Sequence, residues 1–348
     1  MDIFDLINPA EIATYWTETA SNRIPYLGSI LFPSKKRLGL NLKWFKGSKG
    51  LPVSLAPAAF DAKAKVRDRI GVSGLETEMA FFRESMRVGE QERQQLLLAA
   101  SAANNEVIKP ILASIYDDVT NLVSGADVVA ERMRMQLLSS GTIDITANGI
   151  PYEYDYNFND DHRDVLNVSV QWSDAVNSDP VTNIQEWQDK VEEDTGIRPT
   201  RAVCTRKTWN YLLKNKKIRL DLNPIGGQNI IMTDKMLQQY LLEKLGLTVA
   251  VYNKKYLTEV GGASEQFFPD DVFTLLPDGS LGNTYFGTTP EEADLMSGKS
   301  RAKVSIVNTG VAITTYVEEH PVNALTIVSA ICLPSWETID STFIATVA

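Results

Sequence analysis

Along the chain, Leu122, Ala126, Val129, Ala130, Met133 and Leu137 recur at the three-and-four spacing of one helical face, and Ser139, Ser140 and Gly141 supply a stop. Thr142–Ala147 and Tyr152–Phe158 then alternate as two strands about Asn148 and Gly149, a strong short signal for a hairpin. Upstream, Ile111, Leu112, Ile115, Tyr116, Val119 and Leu122 form another stripe, with Pro110 suited to a first turn and Gly125 expected to separate the two helices. Residues 89–103 are also expected to be helical.

The texture changes after Asp179. Pro180–Thr195 predicts an amphipathic helix with Ile184, Trp187 and Val191 inward. Arg201–Thr205 and Thr248–Tyr252 read as strands, and Lys207–Asn215 and Thr233–Leu245 as helices. Gly226, Gly227, Gly261 and Gly262 mark loops with unusual backbone angles. Strands return at Val304–Val307, Val311–Glu318 and Ala324–Leu333, and the chain closes on Phe343, Ile344 and Ala345. These last strands are expected to complete the sheet of the first domain, giving two domains with discontinuous boundaries.

The N-terminal third is different. A short helix carrying Ile12, Tyr15 and Trp16 precedes Pro25, Gly28 and Pro33, which oppose regular structure, so the arm's aromatics are expected to need a partner surface. Leu40, Leu42 and Trp44 alternate before a glycine-rich turn, and residues 62–70 alternate small or apolar side chains with charged ones. A two-stranded excursion with so little apolar mass needs support from outside its own fold.

The composition is that of a globular protein, with 44% hydrophobic and 22% charged residues in 348. No basic, apolar leader opens the chain and no run approaches the roughly 18 apolar residues of a membrane span, so the sequence predicts a protein handled in a cytoplasm, without a membrane partner. Cys204 and Cys332 each sit in an apolar strand-like run and are expected to be buried, reduced thiols. A net charge of −10 opposes dedicated nucleic-acid binding, although Lys35, Lys36, Arg37, Lys43, Lys46, Lys49, Lys63, Lys65, Arg67 and Arg69 cluster locally.

Candidate chemistry is sparse. The two histidines are His162, in an acidic turn expected to be solvated, and His320, before Pro321. No two Cys or His fall at zinc-ligand spacing, and no phosphate loop, nucleophile elbow or dinucleotide fingerprint occurs. Glu192, Glu193, Glu291 and Glu292 suit exposed helix positions better than acid–base work. No catalytic residue, cofactor or metal is expected, and the protein is read as a non-enzyme.

Four ordered segments resemble the lambda-type (E family) major capsid proteins of tailed bacteriophages: Glu131–Ile143, Tyr152–Phe158, Asp179 through Ile218, and Val251 through Glu291. The resemblance implies an α+β Hong Kong 97-like shell fold. Residues 1–37 would be an N-terminal arm and 38–75 an extended loop lying over a neighbouring subunit. Residues 76–177 and 303–348 would form a peripheral domain with a long helix at about 104–140, and 178–302 an axial domain. Intersubunit contacts would come from Leu42, Lys43, Trp44, Lys46, Lys49, Val53, Leu55, Phe60, Arg67 and Arg69 in the loop and from Tyr15 and Trp16 in the arm. The loops at Gly226, Gly227, Gly261 and Gly262 would meet around the symmetry axes.

Implied partners are copies of the chain in pentamers and hexamers, a separate scaffolding protein, a portal, a possible decoration protein, and enclosed double-stranded DNA bound without sequence specificity. The implied location is the virion, assembled in the host cytoplasm. An encapsulin-like compartment shell is the first alternative. A cytoplasmic α+β enzyme using carboxylates near Glu153 and Asp155 is the second.

Overall fold

A computed structural model describes the backbone of residues 9–20, 25–46, 73–91, 94, 98, 105–147, 150–226, 231–259, 261–298, 303–319 and 322–348. For 19–20, 44–46, 73–76, 105–115, 147, 150, 317–319 and 322 the backbone alone is described. The chain opens with α1 (Pro9–Ala20), α2 (Leu27–Leu31), β1 (Ser34–Lys36), β2 (Asn41–Lys46), β3 (Ser73–Glu78) and β4 (Ala80–Val88). The helix α3 (Asn105–Ser140) leads to β5 (Thr142–Ala147), β6 (Ile150–Asp155) and β7 (Arg163–Val165). There follow α4 (Pro180–Thr195), β8 (Arg201–Cys204), α5 (Arg206–Lys214), α6 (Lys216–Leu222), α7 (Asp234–Leu245), β9 (Thr248–Val251), β10 (Lys255–Leu257), β11 (Ser264–Gln266) and β12 (Val272–Leu276). The remainder is β13 (Thr284–Phe286), α8 (Pro290–Met296), β14 (Lys303–Val307), β15 (Val311–Glu319), β16 (Val322–Pro334) and β17 (Phe343–Thr346). The fold is mixed α+β and divides into two compact units. Met1–Leu42, Glu76–Arg132 and Asn283–Ser335 form one; Lys43–Leu75, Met133–Gly282 and Trp336–Ala348 form the other.

The first unit is built on β16, whose run of Val, Ile, Leu and Ala suits a strand paired on both sides. It pairs antiparallel with β15, with β4 and, at its end, with β13, while β14 and β1 extend the sheet to six strands. Val311, Ile313, Val328 and Ala330 are buried on one face. The arm does not stand free: α1 packs on β14 and β15, burying Ile12 and Trp16. Trp16 Nε1 donates to Asn308 Oδ1 at 3.2 Å and Tyr15 donates to Asp117 at 2.7 Å. For Trp16 the expectation of a partner surface is corrected, because its indole finds both apolar cover and an acceptor here, while Tyr15 stays partly exposed with its hydroxyl bonded to Asp117. Nor do Pro25, Gly28 and Pro33 abolish structure, since α2 and β1 lie among them.

Helix α3 runs unbroken through Gly125, contrary to the expected break, and Pro110 is its sixth residue. An interior glycine costs only about 1 kcal/mol relative to alanine, and the flanking Val123 and Ala126 are buried. The helix residues fall to the first unit up to Arg132 and to the second from Met133. The expected helix over 89–103 lies largely outside the described residues.

In the second unit the sheet order is β7-β17-β12-β8-β9, with antiparallel pairs at the centre and parallel ones at both edges. Its core joins Trp172, Trp187, Trp209, Leu237, Phe273 and Phe343. Trp172 meets Phe273 edge-on at 5.1 Å, and Trp187 stacks on Phe343 at 5.5 Å. Helix α4 forms where its sequence predicts: Asp179 caps the N-terminus by accepting from Thr182 N, Pro180 opens the first turn, and Gly196 ends it at φ 73°. Ile184, Trp187 and Val191 point inward, joined by Gln188, whose amide donates to Pro199 O at 2.7 Å. The expected strand and helices over 201–252 are present, with Thr205 and Thr233 as caps and α6 as an unanticipated addition. Strand β17 pairs with β12 and β7 and so belongs to this sheet, which corrects the expectation that the terminal strands all return to the first. Phe343, Ala345 and Val347 alternate into this core, and that burial selects the partner.

Candidate functional site

Glu291 and Glu292 open α8 beneath Thr289, whose hydroxyl accepts from Glu292 N. Glu291 pairs with Arg83 and accepts from Ser329 at 2.8 Å, while Glu292 pairs with Lys36, which also donates to Gly287 O at 2.8 Å. These carboxylates therefore pin α8 to β4, β16 and β1. Glu192 and Asp189 both hold Arg198 at 2.6 Å. Burial by itself would lower the Arg198 pKa, but these two carboxylates outweigh it and raise it.

His162 departs from the expected solvated turn. It is 1% exposed, its ring stacks 6.3 Å from Phe343, and Nε2 lies 2.9 Å from Asp194 Oδ2. That hydrogen bond, helped by Lys190 and against some burial, holds the Asp194 carboxyl below the usual range. Lys190 is 3.4 Å away on the preceding turn of α4. Trp187 Nε1 donates to Asp164 at 3.0 Å, so two polar contacts tie α4 to the 160–165 segment. His320 lies outside the described residues. Cys204 and Cys332 are buried and outside any disulfide, as expected, and burial pushes the Cys204 thiol up, keeping it protonated. Among the described residues no group of three or more His, Cys, Asp or Glu is placed to hold a metal ion. No described helix is long and apolar enough to cross a membrane.

Of the expected loop contacts, Leu42 is fully buried within its own chain and so anchors the loop's root, a correction to its outward role. Lys43 is exposed. Trp44 and Lys46 lie on β2, which pairs with β3, but their side chains are outside the description, as are Lys49, Val53, Leu55, Phe60, Arg67 and Arg69 altogether. Gly226 follows a turn in which Asn223 Oδ1 accepts from Ile225 N and Gly226 N. Ile225 is fully exposed and Ile231 is 88% exposed, two apolar side chains flanking the residues that include Gly227, itself not described. Gly261 and Gly262 join β10 to β11, and only Gly261 adopts a positive φ. Gly226 and Gly262 do not adopt a positive φ, which corrects that expectation for these two.

One feature of a site is the hairpin β5–β6, which follows directly from α3. Gly141 turns the chain at φ 78°, and Gln136 bridges helix to strand by donating to Asp144 O at 2.9 Å and accepting from Asp144 N at 3.3 Å. Ile143 and Ile145 are buried on one face. The other face exposes Thr142, Asp144 and Thr146 beside Pro151, Glu153 and Asp155, with Asp144 directly opposite Glu153. Glu153 and Asp155 thus stand on an open surface, Asp155 accepting from Asn157 N at 2.8 Å.

Exposed loops and an exposed hairpin face are thus the features that the fold presents around its buried cores. A model of the phage major capsid protein E family matches residues 9–347, and the chain belongs to that family. Its fold is shared by a prophage protein of E. coli CFT073 assigned as a capsid protein, at 14% identity and a TM-score of 0.60, covering 98% of this chain and 99% of that one. A phage-related protein from Bordetella bronchiseptica RB50 matches at 14% identity and 0.57, covering 97% of each chain. No curated protein sequence gives a significant match.

Proposed function

We propose that this phage major capsid protein builds the icosahedral head of a tailed double-stranded DNA bacteriophage, assembling as pentamers and hexamers on a Hong Kong 97-like plan. The observation that carries this reading is the family match over residues 9–347. It also favours a phage head over an encapsulin-like compartment and a structural role over an enzymatic one. Residues 38–75 act as the extended loop, and Trp44, Val53, Leu55 and Phe60 supply its apolar contacts with a neighbour. Ile225 and Ile231, with the Gly226–Gly227 and Gly261–Gly262 loops, serve as axial contacts. Burying one such side chain between copies contributes about 1.5–3 kcal/mol.

A separate scaffolding protein, a portal and a possible decoration protein complete the assembly in the host cytoplasm, and the shell encloses DNA without reading its sequence. Many weak contacts per subunit make the closed shell stable while single mistakes stay reversible. Replacing Trp44 and Phe60 by Ala tests the loop's role: the soluble subunit keeps its circular dichroism and melting temperature, but particles fail to form. Loss of folding in the double variant would show that the loop belongs to the subunit's own core.

A further inference from the structure

The outer face of β5–β6 carries a local conflict. Asp144 and Glu153 are direct cross-strand neighbours, and Asp155 lies two residues along β6 on the same face. Like charges at opposed positions destabilise a ribbon. No ion pair among the described residues relieves any of the three carboxylates. The same chain carries the complementary pattern: between 43 and 69 there are seven Lys or Arg against Asp61 and Asp68, although the whole chain is at −10. Within that stretch Lys63, Lys65, Arg67 and Arg69 occupy every second position. On an extended strand they would share one face at a spacing of about 6.6–6.8 Å, the separation that the same geometry sets between Glu153 and Asp155.

We propose that the outer face of β5–β6 is the receiving surface for the 62–70 segment of a second copy of this chain, with Lys63, Lys65, Arg67 and Arg69 aligned along Asp144, Glu153 and Asp155. This rests on the reading of the protein as a shell subunit whose loop reaches a neighbour, and it names the place where that loop lands. The carboxylate pair is then a feature selected for assembly at some cost to the free subunit.

Two measurements test it. The isosteric pair Asp144→Asn with Glu153→Gln should melt at the same temperature as the parent or about 1–3 °C higher, yet need about tenfold more protein before particles appear. Reversal by Glu153→Lys should block particles, and Lys65→Glu in the same chain should restore them. Second, particles assembled from an equal mixture of ordinary and ¹⁵N-labelled protein are treated with a zero-length carbodiimide cross-linker and digested. The expected products join Asp144, Glu153 or Asp155 to Lys63 or Lys65 and include mixed-isotope pairs. Unmixed pairs alone would mean that the loop folds on its own chain. Cross-links from these carboxylates to another protein or to none, or particles unaffected by Glu153→Lys, would also overturn the assignment. Parent protein that forms no particles at all would instead count against the shell reading itself.

Discussion

Gly141 shows how much can rest on a missing side chain. Its φ of 78° lies where L side chains are strained, and a Cβ there would stand 2.7 Å from Phe158 Cβ. Gly141→Ala should therefore cost about 2–4 kcal/mol, read as a lowered urea midpoint. At Asp194, which His162 contacts, the consequence is a pH dependence. The Asp194 carboxyl is held low by the imidazole, so its contribution is fully present above the unfolded Asp value of about 3.9 and is lost as pH falls through the lower folded value. Asp234, held low by the Trp209 indole N–H and Arg206, and Asp221, held low by the Tyr240 hydroxyl and Lys244, act in the same window. Asp194→Asn should flatten, without abolishing, the loss of stability below about pH 4 in acid denaturation followed by tryptophan fluorescence.

Among the elements, α4 is the clearest case of local instruction. Cap, opening proline, inward stripe and terminal glycine all agree. Removing the cap by Asp179→Ala should destabilise the protein by about 1 kcal/mol, seen as a lower melting temperature, because Thr182 N loses its acceptor and Lys217 its ion-pair partner. The hairpin's turn was equally legible, although its second strand runs Ile150–Asp155 and not over 152–158: a two-residue turn at 148 and 149 sets 147 opposite 150 and hence 144 opposite 153, so the facing carboxylates could have been read from register alone. What local pattern could not convey was partnership. Periodicity marked 343–345 as a strand, but only burial beside Phe273 and Trp187 decides which sheet it joins. Gly125 looked like a break because a helix's packing is invisible to its propensity. The acidic neighbours of His162 suggested water, whereas the ring is covered by Phe343. Trp16 looked like an exposed arm residue because Asn308, its acceptor, is remote in sequence.

For the molecule as a whole, the two sheets account for a stable subunit, while Ile225, Ile231 and the acidic hairpin face remain turned to solvent within one chain. Those features gain a purpose when many copies close on one another, since rings of five and six need the same surfaces at slightly different angles and loops absorb the difference. The most direct test is sedimentation velocity of the purified chain over a concentration series, with electron microscopy of the fastest fraction. The account predicts a threshold above which closed shells built from rings of five and six subunits replace the slow species. A single small oligomer at every concentration, alone and beside its scaffolding protein, would contradict it.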